Sequence, residues 1–96
     1  MKRYKVTLSK QAKKDLCLIP NRIRDSLFAW IKIVEKQGLL KARTILGYHD
    51  EPLSGGRKGQ RSIRLNRSYR AFYITSDDSN TYIEILIVIE VNKHDY

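Results

Sequence analysis

The sequence predicts an α+β fold in the order β-α-α-β-β-β, with a helix hairpin packed on one face of a small, mainly antiparallel sheet. Three observations predict it. A short run rich in β-formers opens the chain, two apolar stripes at helical spacing follow, and three β-rich runs separated by turn residues close it.

The opening strand is "YKVTL", Tyr4 to Leu8. Ser9 then offers its hydroxyl to an orphan N–H in the first turn of a helix. Ala12, Leu16 and Ile19 give that helix one apolar stripe. Pro20 suits the start of a second helix, where its missing N–H costs nothing. Ile23, Leu27, Trp30, Ile31 and Val34 form the second stripe. Gly38 is the stop, because glycine accepts the left-handed conformation at a helix end. Beyond it, "HDEPLSGGRKGQ" reads as a loop broken by Pro52, Gly55, Gly56 and Gly59.

The meander runs from Arg61 to Leu65, from Tyr69 to Ile74 and from Tyr82 to Val91, joined by "NRS" and "SDDSN". Ile83, Ile85, Ile87, Ile89 and Val91 share one parity, so alternation predicts that row against the helices. The same alternation puts Glu90, Asn92, His94 and Tyr96 on the opposite face. In the first meander strand Ile63 and Leu65 take the core side, which leaves Ser62, Arg64 and Asn66 on the other.

A chain of 96 residues predicts one domain, 1–96. It buries only a little over half of its unfolded surface. That leaves room for one core and a surface groove, and points to a polymeric substrate. Nineteen Lys and Arg against ten Asp and Glu give a net charge of +9. The isoelectric point near 9.9 lies in the range of nucleic-acid-binding domains. The competing reading is a charge that only keeps the protein dispersed. An anionic membrane surface fits less well, because neither stripe joins a broad apolar face to a cationic one. No run approaches the ~18 apolar residues of a membrane span. The first residues lack the apolar stretch of a secretory signal. Cys17 is the one cysteine, so no disulfide forms within the chain, in keeping with a reducing cytoplasm. Set among Leu16, Leu18 and Ile19, it reads as a core residue.

His49, Asp50, His94, Asp95 and Cys17 fall into no metal-binding spacing, so no metal or other cofactor is expected. "SGGRKGQRS" is not a phosphate-binding P-loop, and a strand rather than a helix follows it. A Ser-His-Asp set has no nucleophile-elbow context. The basic residues say more. Arg57, Lys58, Arg61, Arg64, Arg67 and Arg70 fall within fourteen residues. Guanidinium forks match phosphate oxygens in pairs, which Lys cannot do. A solvated charged face is the competing reading, and Tyr69, Tyr73 and Tyr82 serve either as stacking platforms for bases or as packing. RNA cleavage through its own 2′-hydroxyl needs a base, a cation at the phosphate and an acid for the leaving oxygen. His94 has the chemistry of the acid, with a histidine on a frayed tail as the competing reading, Arg70 or Arg64 has that of the cation, and Glu51 or Tyr96 that of the base.

The element order resembles the RelE/ParE toxin superfamily of bacterial toxin–antitoxin systems. "EPLSGGRKGQRSIRLNRSYRAFYI" is similar to that family's central stretch, with an E-P-L turn, a basic loop, "SIR" and a "YR" pair. The closing "EVNKHDY" resembles the ends of RelE-, YoeB- and HigB-type toxins. The resemblance implies a metal-independent mRNA interferase acting in the ribosomal A site. It implies Arg70 at the scissile phosphate, Glu51 as base, His94 as general acid and Tyr96 as a terminal aromatic against the substrate. Lys58, Arg61 and Arg64 match groove positions that hold RNA, with Arg57, Arg67 and Lys93 beside them. It also implies a cognate antitoxin, and mRNA and the 70S ribosome as partners. The family places lysines where the first meander strand here has Arg61 and Arg64. Two other functions stay open: a ParE-like gyrase inhibitor without nuclease activity, and a plain nucleic-acid-binding module.

Overall fold

The computed structural model describes residues 3–77 and 83–93. Its elements run β1 (Arg3–Leu8), α1 (Lys10–Cys17), α2 (Asn21–Gln37), α3 (Leu39–Arg43), β2 (Glu51–Pro52), β3 (Arg61–Arg64), β4 (Tyr69–Asp77) and β5 (Ile83–Lys93). The sheet order is β1-β5-β4-β3-β2. β1 lies parallel to β5, and the remaining neighbours are antiparallel. The fold class is the predicted α+β, with helices on one sheet face.

The helix boundaries follow from their caps. Ser9 Oγ accepts the Ala12 N–H at 3.0 Å and opens α1. Pro20 is the N-cap of α2, and Arg24 Nε of α2 donates to the Leu16 carbonyl at the end of α1, at 3.2 Å. Gly38 ends α2 at φ 90, and its N–H donates to the Val34 carbonyl at 2.9 Å. A Cβ there would also stand 3.2 Å from the Tyr4 ring. Ala12, Leu16, Ile23, Leu27, Trp30 and Val34 bury their stripes against Ile63, Leu65, Ala71, Tyr73 and Val91 of the sheet. The Trp30 and Tyr73 rings meet at 5.1 Å between centroids, tilted by 49°.

Three expectations are corrected. Cys17 is exposed, because one step round the helix from Leu16 turns it off the core face. The segment from His49 to Gln60 contains a short edge strand, β2, and the Leu53 N–H extends its ladder to the Gln60 carbonyl at 2.9 Å. Pro52 is tolerated there because an edge strand leaves one side unpaired. The third correction concerns the long last strand. Its register against β4 passes from Phe72 opposite Glu90 to Tyr73 opposite Val88, which leaves Ile89 as a bulge. Val91 is buried as expected. Upstream of the bulge, Ile85 and Ile87 run in register with Lys5 and Thr7, while the core-packed Val6 and Leu8 pair with Leu86 and Val88. The register against β4 therefore does not keep one alternation from Ile83 to Val91, as the predicted row required; the side chains of Ile83, Ile85, Ile87 and Ile89 lie outside the described residues. β4 also runs on to Asp77, into the predicted turn, and Tyr82 lies outside the described residues.

Candidate active site

The site starts from three consecutive residues. Asp50 turns inward, with its side chain fully buried. Its Oδ1 accepts Arg61 Nε at 2.7 Å, and its Oδ2 accepts the Tyr73 hydroxyl at 2.6 Å. Glu51, one residue on, turns the other way at the start of β2, and His49, one residue before, reaches the same side through a left-handed backbone rather than extended alternation. His49 holds φ 46, and among the described residues it is the one non-glycine at positive φ. Its Nε2 lies 3.3 Å from Glu51 Oε2.

Sheet pairing brings in the partners. Glu51 lies opposite Ser62, Ser62 opposite Phe72, and Arg64 opposite Arg70. These residues share the face that the helices leave uncovered. Arg70 Nη1 donates to Glu51 Oε1 at 2.9 Å and reaches Ser62 Oγ at 3.3 Å. The result is a row: His49, the Glu51 carboxylate, the Arg70 guanidinium. The hydrogen bond from Arg70, reinforced by His49, outweighs desolvation and holds the Glu51 carboxyl below its usual range. Arg70 is largely buried, with 14% of its side chain exposed, while Glu51 and His49 expose 39% and 55%. The guanidinium is therefore fixed and the imidazole reaches solvent.

The predicted site residues do not all share one place. Glu51 and Arg70 come together on the open face; Arg64 lies opposite Arg70 in register, and it also lines a cleft with Ser26, Ala29 and Ile33 of α2. Arg57 lies over Phe72, which is two strand positions from Arg70, with its guanidinium carbon 4.1 Å from the centre of the ring. Arg61 and Arg67 lie apart from them. Arg61 is in register with Tyr73 on the helix side and is paired with Asp50. Arg67 is exposed in the β3–β4 turn, and with Arg22, Ser26 and Asn66 it lines a shallow cleft beside α2. Lys58 is exposed in the loop before β3. Lys93 ends β5 opposite Tyr69, so the end of β5 stands next to Arg70, which itself faces Asn92. His94 and Tyr96 lie outside the described residues. Tyr73 is no stacking platform, since it is fully buried.

Sequence reasoning passed over His49 as anything but a metal ligand, and passed over Ser62. For His49 the sequence offers only its nearness to Glu51 in "HDE", since a left-handed backbone, not strand alternation, brings it to the side of Glu51. Ser62 had none, because its contact with Arg70 depends on strand register. Among the described residues no group of three His, Cys, Asp or Glu is placed to hold a metal ion, and no helix is long and apolar enough to cross a membrane.

No protein-family model matches the chain, and no curated protein matches it in sequence. Solved structures do match. YafQ from E. coli strain BL21(DE3) superposes with a TM-score of 0.73 at 19% identity, over 96% of this chain and 94% of that one. A YoeB/ParE toxin from Agrobacterium tumefaciens gives 0.68 at 21% identity, over 95% and 99%. The RelBE2 toxin–antitoxin complex from Mycobacterium tuberculosis gives 0.66 at 22% identity, over 96% and 99%. At such identities the likeness is one of fold, and over nearly all of its length this chain has the RelE-like fold of those toxins.

Proposed function

We propose that this chain is the toxin of a type II toxin–antitoxin pair, a metal-independent endoribonuclease that cuts mRNA in the ribosomal A site. The observation that carries the reading is the anchored Arg70. Its guanidinium sits on the uncovered sheet face, held by Glu51 and Ser62 and flanked in register by Arg64. A fixed cation beside a carboxylate is what a phosphate undergoing in-line attack requires. The remaining donors of Arg70 take the scissile phosphate, Arg64, Arg57 and Lys58 hold the strand, and the Glu51 end of the row handles the 2′-hydroxyl proton. His94 serves as general acid and Tyr96 as an aromatic against the substrate, with Lys93 leading into them. The fold supports the reading, since it is that of YafQ and of a YoeB/ParE toxin. The RelBE2 structure is a toxin–antitoxin complex, and a cognate antitoxin is proposed here too, with the cytoplasm as the place of action.

The test is primer extension on a defined message, with purified protein, with and without translating ribosomes. Cuts that need ribosomes are expected, weakened at least ~10-fold in Arg70→Ala and in His94→Ala. Wild-type cleavage in both variants would sink the assignment. Absence of cuts with inhibition of gyrase supercoiling would transfer the chain to the ParE-like function.

A further inference from the structure

Glu51 is a poor final acceptor for a ribose proton. Arg70 engages its Oε1 at 2.9 Å, and a carboxylate stabilised as an anion is a weaker base. Its Oε2 faces His49 Nε2 at 3.3 Å. A carboxylate in that position selects the imidazole tautomer: Nε2 carries the hydrogen, and Nδ1 keeps its lone pair. The imidazole is more exposed than the carboxylate behind it. The backbone at His49 adds a second, independent observation. Left-handed φ is uncommon outside glycine, and such positions gather at functional sites. Here φ 46 delivers the side chain onto the face of Glu51 and Arg70.

We infer that His49, oriented by Glu51, is the general base of this site. The inference rests on the endoribonuclease reading and names the atom that takes the proton. Nδ1 of His49 accepts the hydrogen of the 2′-hydroxyl. The electron pair of that oxygen forms the bond to phosphorus, while Arg70 holds the phosphate oxygens. The bond from phosphorus to the 5′-oxygen breaks, and its electron pair leaves on that oxygen, which takes a proton from the general acid. The products are a 2′,3′-cyclic phosphate and a 5′-hydroxyl, and the 2′-hydroxyl proton stays on the imidazole until solvent removes it. Glu51 is thereby a positioning residue that also steadies the imidazolium.

The experiment uses the full chain and the ribosome-programmed message of the cleavage assay. His49→Gly and His49→Asn both accept the left-handed backbone, so both variants should melt close to wild type. Each is expected to lose ~10²- to 10⁴-fold in kcat with little change in KM, and added imidazole should restore part of the rate to His49→Gly. Glu51→Gln should lower kcat less than either. If wild type cuts and both His49 variants cut as fast, the inference alone falls. A loss in His49→Gly that imidazole does not restore also overturns it. If wild type cuts nothing, with or without ribosomes, the endoribonuclease reading fails and the inference fails with it.

Discussion

Asp50 shows how one residue fastens two neighbouring strands. Its carboxylate is buried, and it is compensated by the Arg61 guanidinium and the Tyr73 hydroxyl. A buried charge survives only when paired and hydrogen-bonded. Burial first, and then the neighbouring Asp50, push the Tyr73 phenol up to about 12 from an ordinary 10.0. The folded state therefore favours the neutral phenol. Its contribution is fully present below the ordinary value and is lost as pH rises from there through about 12. Absorbance titration should find one tyrosine whose phenolate forms only at that upper end. In Tyr73→Phe that late step should vanish, and urea melts should show a loss of about 1–3 kcal/mol, since Asp50 then keeps one partner fewer. A tyrosine population that titrates entirely near its ordinary value would refute the buried Tyr73–Asp50 bond.

At the scale of elements, α1 is fastened to the strand that carries the bulge. The Val91 N–H, two residues past Ile89, donates to Asp15 Oδ2 at 2.9 Å, and Gln11 Nε2 holds Oδ1 at 2.8 Å. Val91 is nearly inaccessible, so losing its acceptor strands a buried donor. Asp15→Ala should cost about 2 kcal/mol, and Asp15→Asn, which keeps an acceptor, clearly less. Equal losses in chemical denaturation would mean that the charge, not the hydrogen bond, matters. The free edge of the sheet is managed in a related way: the Val6 N–H of β1 is taken by Glu35 Oε2 at 3.1 Å, which removes a donor from a strand edge open to pairing.

For the whole molecule the governing quantity is the charge of +9. The fold sorts that charge. Arg61 is spent on Asp50 and Arg57 lies over Phe72, while Arg64 and Arg70 stand side by side on the open face. Single-stranded RNA should therefore bind with an affinity that falls steeply with salt. Arg64→Ala should reduce the slope of log K against log salt by about 0.7, the value for one phosphate contact on a single strand. Fluorescence anisotropy across a salt series would measure it, and an unchanged slope would place Arg64 off the path of the RNA.

The α+β class, the two helices with their Ser9 and Gly38 boundaries, the meander, and the open-face parity of Ser62 and Arg64 were all legible in the residues alone. Those features are local: a cap, a stop or a period of 3.6 or 2 is complete within a few neighbouring residues. The tertiary structure decided the rest. Cys17 read as core because its neighbours are apolar, but helix phase turned it outward. β2 is too short to show a period, and exists because β3 offers it an edge. The bulge at Ile89 leaves no trace in the apolar run from Ile85, which ends there against Glu90. Arg61 and Arg64 look alike in sequence, yet one is held by a buried carboxylate and the other lies opposite Arg70 in register. Glu51 and Arg70 stand nineteen positions apart, and only the register of β2, β3 and β4 closes that distance, because pairing across a sheet is set by the whole layer rather than by either residue.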